Sequence, residues 1–275
     1  MGGRGLLRRT VLLIPALALA ACAAPSSAPS HHPGTVARTG QAEVDIFGDS
    51  LAYQAAPYFN ALVEASGQAK VDDFVFGGTA TCDWLPDMRR VARTHPPRVV
   101  VMEFAGNTFT ACMRSCIPES SSTISRYCSA MSQAIRIFLA VGTHIYLEGT
   151  PIDYRQWTVH DPHWDDLNRA FAQLAEVYPG RVTYVDAGRA VEGGDQAFVW
   201  MLPCLAFEPC TGPTVAGVRN DVVRSPDGVH FCPDQSGNPV GQVVPCDVYS
   251  SGAFRFASAM AGPVIGYLHL TRPAR

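Results

Sequence analysis

The sequence has no surplus of positive charge: 21 Lys and Arg residues stand against 24 Asp and Glu, a formal net charge of −3 at pH 7. A nucleic-acid-binding domain shows a basic footprint, so no nucleic-acid partner is expected. Its 9 cysteines are many, yet no two form a Cys-x-x-Cys pair and their spacings are irregular. A structural zinc site normally draws its ligands from such pairs, so no metal is assigned. The apolar run from Val11 to Ala21 is too short for a permanent transmembrane helix, which needs about 20 residues.

That run belongs to a different pattern. Residues 1–21 have a positively charged opening, an apolar stretch and a small-residue exit, the layout of a secretory signal. Leu19-Ala20-Ala21-Cys22 resembles a bacterial lipobox, which implies that Cys22 is lipidated and becomes the mature N-terminus. Arg8-Arg9 lacks the rest of a twin-arginine signal, which favours general secretion. Residues 22–42 then combine the lipidated cysteine with a Pro-, Ser-, Ala- and Gly-rich flexible tether. His31-His32 within it reads as a solvated pair. The expected location is the outer face of the cell membrane, held by the lipid anchor, or the exterior if the protein is released.

Residues 43–275 are long enough for one α/β domain. Without Cys22, eight cysteines remain: Cys82, Cys112, Cys116, Cys128, Cys204, Cys210, Cys232 and Cys246. An even number in an exported chain argues for four disulfides, although sequence cannot fix their connectivity. Local pairing would join Cys116–Cys128, Cys204–Cys210 and Cys232–Cys246, leaving Cys82–Cys112.

Short apolar runs at 44–47, 71–76, 98–104, 144–149 and 182–186 read as buried parallel strands. Helix-compatible stretches lie between them at 51–65, 124–140 and 165–178; in the last, Leu167, Phe171, Leu174, Ala175 and Tyr178 recur at helical spacing. This alternation predicts a three-layer α/β/α, flavodoxin-like sandwich around a parallel sheet of about five strands. A disulfide-rich insertion at about 190–250 breaks it. A last helix follows at 250–268, with an interruption expected at Gly262-Pro263.

Ligands of such sheets bind outside the carboxyl ends of the strands. The first strand ends at Gly48-Asp49-Ser50, where Ser50 reads either as a helix N-cap or as a nucleophile. The next ends at Gly77-Gly78-Thr79 and the third at Gly106-Asn107. A serine nucleophile needs a base; Asp227-x-x-His230 offers a base and an acid to orient it. The Ser50 N–H, a glycine N–H from 77–78 and the Asn107 amide are candidate oxyanion donors.

These blocks, in this order, resemble the SGNH, or GDSL, hydrolase family. Gly48-Asp49-Ser50-Leu51 matches its first block, Gly78 (or Gly77) the glycine of the second, Gly106-Asn107 the third and Asp227-Gly228-Val229-His230 the last. The second block lacks its fuller pattern, and the third reads Gly-Asn-Thr. The α/β-hydrolase elbow Gly-x-Ser-x-Gly is not met, because position 52 is Ala.

The resemblance implies a serine esterase acting through an acyl-serine intermediate, with Ser50, His230 and Asp227 as the triad and Ser50, Gly78 and Asn107 as the oxyanion hole. It implies no cofactor. The expected substrate is a short-chain acyl ester, on an envelope glycan or lipid, and the expected state is a monomer. The alternatives are an O-acyltransferase or deacetylase of envelope glycans or glycolipids, or a non-catalytic binding lipoprotein. Tyr53, Trp84, Phe109 and Trp200 are candidates for the cleft wall, with ordinary packing as the competing explanation.

Overall fold

The computed structural model describes residues 40–115, 122–233 and 246–271. The signal, Cys22 and Cys116 lie outside the described residues. Five strands, β1 (Ala42–Gly48), β2 (Ala69–Val75), β3 (Val99–Glu103), β4 (His144–Glu148) and β5 (Val182–Val185), form one sheet. Every pairing is parallel and the order is β2-β1-β3-β4-β5. This is the flavodoxin-like order, with its switch point between β1 and β3.

The helices divide between the two faces. On one, α1 (Ser50–Ala65) and α7 (Ser251–Leu270) bury Phe59, Val63, Phe256, Met260 and Val264 against Val44 and Ile46. On the other, α2 (Thr81–Thr94), α4 (Thr123–Leu139) and α6 (Asp166–Glu176) bury Met88, Val91, Met131, Phe138, Phe171 and Leu174 against Phe47, Val100 and Met102. Two short helices, α3 (Ala111–Ser115) and α5 (Tyr154–Thr158), sit in the loops that follow β3 and β4. Because α1 leads from β1 to β2 while α2 returns past β1 to β3, the loops after β1 and β3 diverge there. A crevice opens between them at the carboxyl edge.

Three features differ from the sequence expectations. Helix α2 was not anticipated, although Leu85, Met88, Val91 and Ala92 recur at helical spacing and all are buried. Strand β2 is an edge strand rather than a buried one: Lys70, Asp72 and Asp73 are exposed or half-exposed, and such charges discourage pairing with a further chain. The last helix is continuous through Pro263. A mid-helix proline costs about 3 kcal/mol. Packing of Phe256, Met260 and Val264 on both sides of it offsets that cost, and Tyr146 donates its hydroxyl to the Pro263 carbonyl at 3.0 Å.

The region expected as an insertion carries a small antiparallel sheet of β6 (Met201–Pro203), β7 (Thr214–Val215) and β8 (Val218–Val222), in the order β6-β8-β7. Disulfides join Cys82 to Cys112, Cys204 to Cys210 and Cys232 to Cys246, the pairs that local connectivity predicts. Cys128 is also disulfide-bonded. Disulfides of this kind fit an oxidising, extracytoplasmic compartment. Among the described residues no helix is long and apolar enough to cross a membrane.

Candidate active site

Ser50 is the first residue of α1, directly beyond the end of β1. Gly48 makes the tight join possible: a Cβ there would lie 2.3 Å from the Ala52 Cβ and 2.9 Å from the Glu103 carbonyl oxygen. Asp49, not Ser50, caps the helix, with its Oδ1 accepting the Leu51 N–H at 3.1 Å. The capping explanation for Ser50 therefore falls away. Its hydroxyl makes no hydrogen bond among the described residues, and its N–H opens the helix at the positive end of the dipole.

Asp49 ties the neighbouring loops together. Its Oδ2 accepts the Ala105 N–H at 2.7 Å and the Asn107 Nδ2–H at 2.9 Å. Burial raises both the Asp49 and the Glu103 carboxyls, and the side chains hydrogen-bond each other. Glu103 is pushed well above the usual range, first by burial and then by the Asp49 charge, so it keeps its proton and donates it to Asp49. Its Oε2 also accepts the Ala52 N–H at 3.0 Å. One negative charge, on Asp49, is thus held by four donors at the base of the crevice.

Asn107 is fixed from three sides. Besides Asp49, its Nδ2 donates to the Thr79 carbonyl at 3.0 Å, and its own carbonyl accepts the Tyr127 hydroxyl at 2.8 Å. Both amide protons are therefore engaged. Gly77 and Gly78 form a turn after β2, and neither N–H has a hydrogen-bond partner among the described residues. The Phe109 ring lies over Gly78, 3.1 Å from where a Cβ would be.

His230 and Asp227 share one tight loop. The Asp227 Oδ2 lies 2.6 Å from the His230 Nδ1, while Oδ1 accepts the Val229 and His230 N–H groups at 2.9 and 3.0 Å. Burial alone would raise the Asp227 carboxyl. The bonds from the His230 ring and from these two N–H groups outweigh it and hold the group well below the usual carboxylate range. It stays ionised, and a neutral imidazole that keeps its Nδ1–H toward it would present Nε2 as an acceptor.

This loop is fastened to the helix that Ser50 opens. The Gln54 Oε1, one turn along α1, accepts the Phe231 N–H at 2.7 Å. Fully buried Arg224 donates to the Val229 and Ile152 carbonyls, and its guanidinium lies over the Phe198 and Phe231 rings. The Tyr154 N–H donates to the Gly228 carbonyl at 2.9 Å. Cys232, two residues beyond His230, is bridged to Cys246. His230 lies close enough that a positive charge on its ring would act on Asp49, beside Ser50. Sequence reasoning did not find Gln54, Glu103 or Arg224, because buried polar residues at isolated positions leave no periodic signal.

Of the aromatic residues named as wall candidates, Phe109 and Trp200 are exposed beside Gly78 and Gly228 respectively. Trp84 packs edge-on to Phe47 and Phe74, and its Nε1 donates to the Thr79 hydroxyl. It supports the crevice from below rather than lining it. Tyr53 is half-buried on α1. Tyr154 and Trp157, on α5, were not anticipated. The Asp153-to-Gln156 capping box that starts their helix was the available signal.

No protein-family model matches the chain, and no curated protein matches it. Solved structures do. A candidate acylhydrolase from Bacteroides fragilis matches with a TM-score of 0.52 at 14% sequence identity, over 84% of this chain and 89% of that one. The lipase/acylhydrolase from Enterococcus faecalis matches with a TM-score of 0.51 at 14% identity, over 82% and 97%. Likeness at this identity shows the shared α/β fold.

Proposed function

We propose that the chain is an exported SGNH-type serine esterase that hydrolyses short-chain acyl esters through an acyl-serine intermediate. The observation that carries this reading is the Asp227–His230 hydrogen bond, on a loop that Gln54 binds to the helix opened by Ser50. A poised base, an ionised acid and a serine hydroxyl without other partners among the described residues are what acyl transfer requires. The fold shared with two structures described as acylhydrolases agrees with it.

In the first half-reaction the Ser50 Oγ bonds to the acyl carbon while His230 Nε2 takes the hydroxyl proton. The carbonyl π pair moves onto the oxygen, which accepts from the Ser50 N–H, a glycine N–H of 77–78 and the Asn107 amide. For Asn107 to donate, the oxyanion must displace the Thr79 carbonyl from one Nδ2 proton. An anionic acceptor forms the stronger bond and wins that exchange. Asp227 stabilises the imidazolium, which returns its proton to the departing alcohol oxygen as the ester C–O bond breaks. Water then attacks the acyl-serine with His230 as base, releasing the carboxylic acid and restoring Ser50.

Lipidation at Cys22, with the protein held at the outer face of the membrane as a monomer, completes the proposal. The test is labelling by a fluorophosphonate together with cleavage of short- and long-chain esters by the soluble domain. Ser50→Ala should abolish both while the circular dichroism spectrum is retained. Full labelling of the variant would show that another serine is the nucleophile.

A further inference from the structure

Large aromatic side chains are usually buried, and a cluster left open marks a contact surface. Tyr154, Trp157 and Trp200 are 41%, 43% and 38% exposed, yet they lie together. The Tyr154 and Trp200 rings are 5.1 Å apart, the Tyr154 and Trp157 rings 6.5 Å, and the buried Phe198 ring touches all three from beneath. The platform is rigid where it meets the catalytic loop. Tyr154 donates its N–H to the Gly228 carbonyl, and a Cβ on Gly228 would lie 2.3 Å from the Tyr154 Cβ and 3.6 Å from the Trp200 ring. Gly228, with φ of +74°, stands between Asp227 and His230. The platform is therefore built onto the segment that carries the general acid.

We infer that this aromatic platform binds the alcohol half of the substrate, and that the alcohol is a carbohydrate ring. The inference rests on the esterase reading, because the reaction fixes the side. The acyl oxygen turns toward the donors after β1, β2 and β3. The departing oxygen must face His230, which protonates it, so whatever the platform touches is the leaving group. The platform's exposure selects its ligand. An alkyl chain gains most when enclosed on all sides, and this surface encloses it on one. A pyranoside has a C–H face suited to stacking on tyrosine and tryptophan rings, and hydroxyl edges that keep their water.

The test compares two acetates with the same acyl group, a methyl glucopyranoside monoacetate and ethyl acetate. For the wild-type protein the sugar ester should have the higher kcat/KM. In Trp157→Ala, and separately in Trp200→Ala, the ratio of the two kcat/KM values should fall about tenfold, the size of one lost ring contact. The loss should appear in KM for the sugar ester rather than in kcat. In Ser50→Ala, which cannot turn over, the sugar ester should perturb tryptophan fluorescence, and Trp157→Ala added to it should raise the concentration needed for that response about tenfold. Equal losses on both acetates, or a ratio that does not move, would overturn the inference with the esterase reading intact. Hydrolysis of neither acetate, with no fluorophosphonate labelling of Ser50, would remove the esterase reading and this inference with it.

Discussion

Replacing Glu103 with glutamine should make the protein more stable, and increasingly so as the pH rises. Glu103 is fully buried, and burial followed by the Asp49 charge raises its carboxyl well above its ordinary value of 4.5. Between that value and the raised folded one, the native chain holds a proton that the unfolded chain has released. Stability must then fall with rising pH across this window, by up to about 1.4 kcal/mol per pH unit for one proton. Glutamine has no proton to release. Its Nε2–H can replace the bond to Asp49, and its Oε1 can accept the Ala52 N–H in place of the Glu103 Oε2.

The advantage of Glu103→Gln over wild type should therefore grow between pH 5 and pH 7, by at most about 2 to 3 kcal/mol for one proton. Urea unfolding at the two pH values, followed by tryptophan fluorescence, measures it as a shift in midpoint at constant slope. Glu103→Ala is the control. It leaves Asp49 and the Ala52 N–H without this partner and should destabilise at both pH values, by about 1 to 3 kcal/mol for each orphaned group. An advantage for glutamine that is the same at pH 5 and pH 7 would mean that Glu103 is ionised in the folded protein. The single-charge description of the crevice base would then be wrong.

Asn107→Ala should lower kcat by about 100- to 1,000-fold with little change in KM, the usual cost of one oxyanion donor; a loss of only a few-fold would leave Asn107 a loop anchor. Converting both Cys82 and Cys112 to serine opens a closure of sequence separation 30 and should cost about 3 to 4 kcal/mol in urea unfolding. A cost below about 1 kcal/mol would contradict the chain-entropy account of that bridge. Cys22→Ala should move the protein from the membrane to the soluble fraction with its specific activity unchanged, and membrane association that persists would point to another anchor.

The sheet was legible in the sequence because its inner strands are continuous apolar runs, as in 99–103 and 144–148, where every residue is buried. Strand β2 misled for the opposite reason. Its apolar residues serve the one neighbour it has, and its charges face solvent. Helix α2 was hidden by Pro86, which lies inside it and removes one backbone bond, and by Asp and Arg residues among its apolar positions. The candidate site was legible where residues cluster at strand ends or within one loop, as Ser50, Asn107, Asp227 and His230 do. What joins those blocks was not, because the Gln54-to-Phe231 contact spans 177 positions and the Asn107-to-Asp49 contact 58.

The joining groups explain why a stable sheet carries acids at its core. Asp49, Glu103 and Glu148 stand at or just beyond the carboxyl ends of β1, β3 and β4, all fully buried, with Glu103 and Glu148 paired in register. Three charges there would repel one another in a medium that screens poorly. Burial instead raises Glu103 and Glu148 well above their usual range, so both remain neutral and the charge rests on Asp49. That carboxylate then aims Asn107 toward the crevice and fixes the backbone on either side of Ser50. Keeping buried acids protonated lowers stability as pH rises, and the bridge from Cys82 to Cys112 acts against that loss. It connects the start of α2, just after the Gly77–Gly78 turn, to α3, just after Asn107. The two loops that carry the candidate oxyanion donors are thus held from below by one charge and from the side by one disulfide.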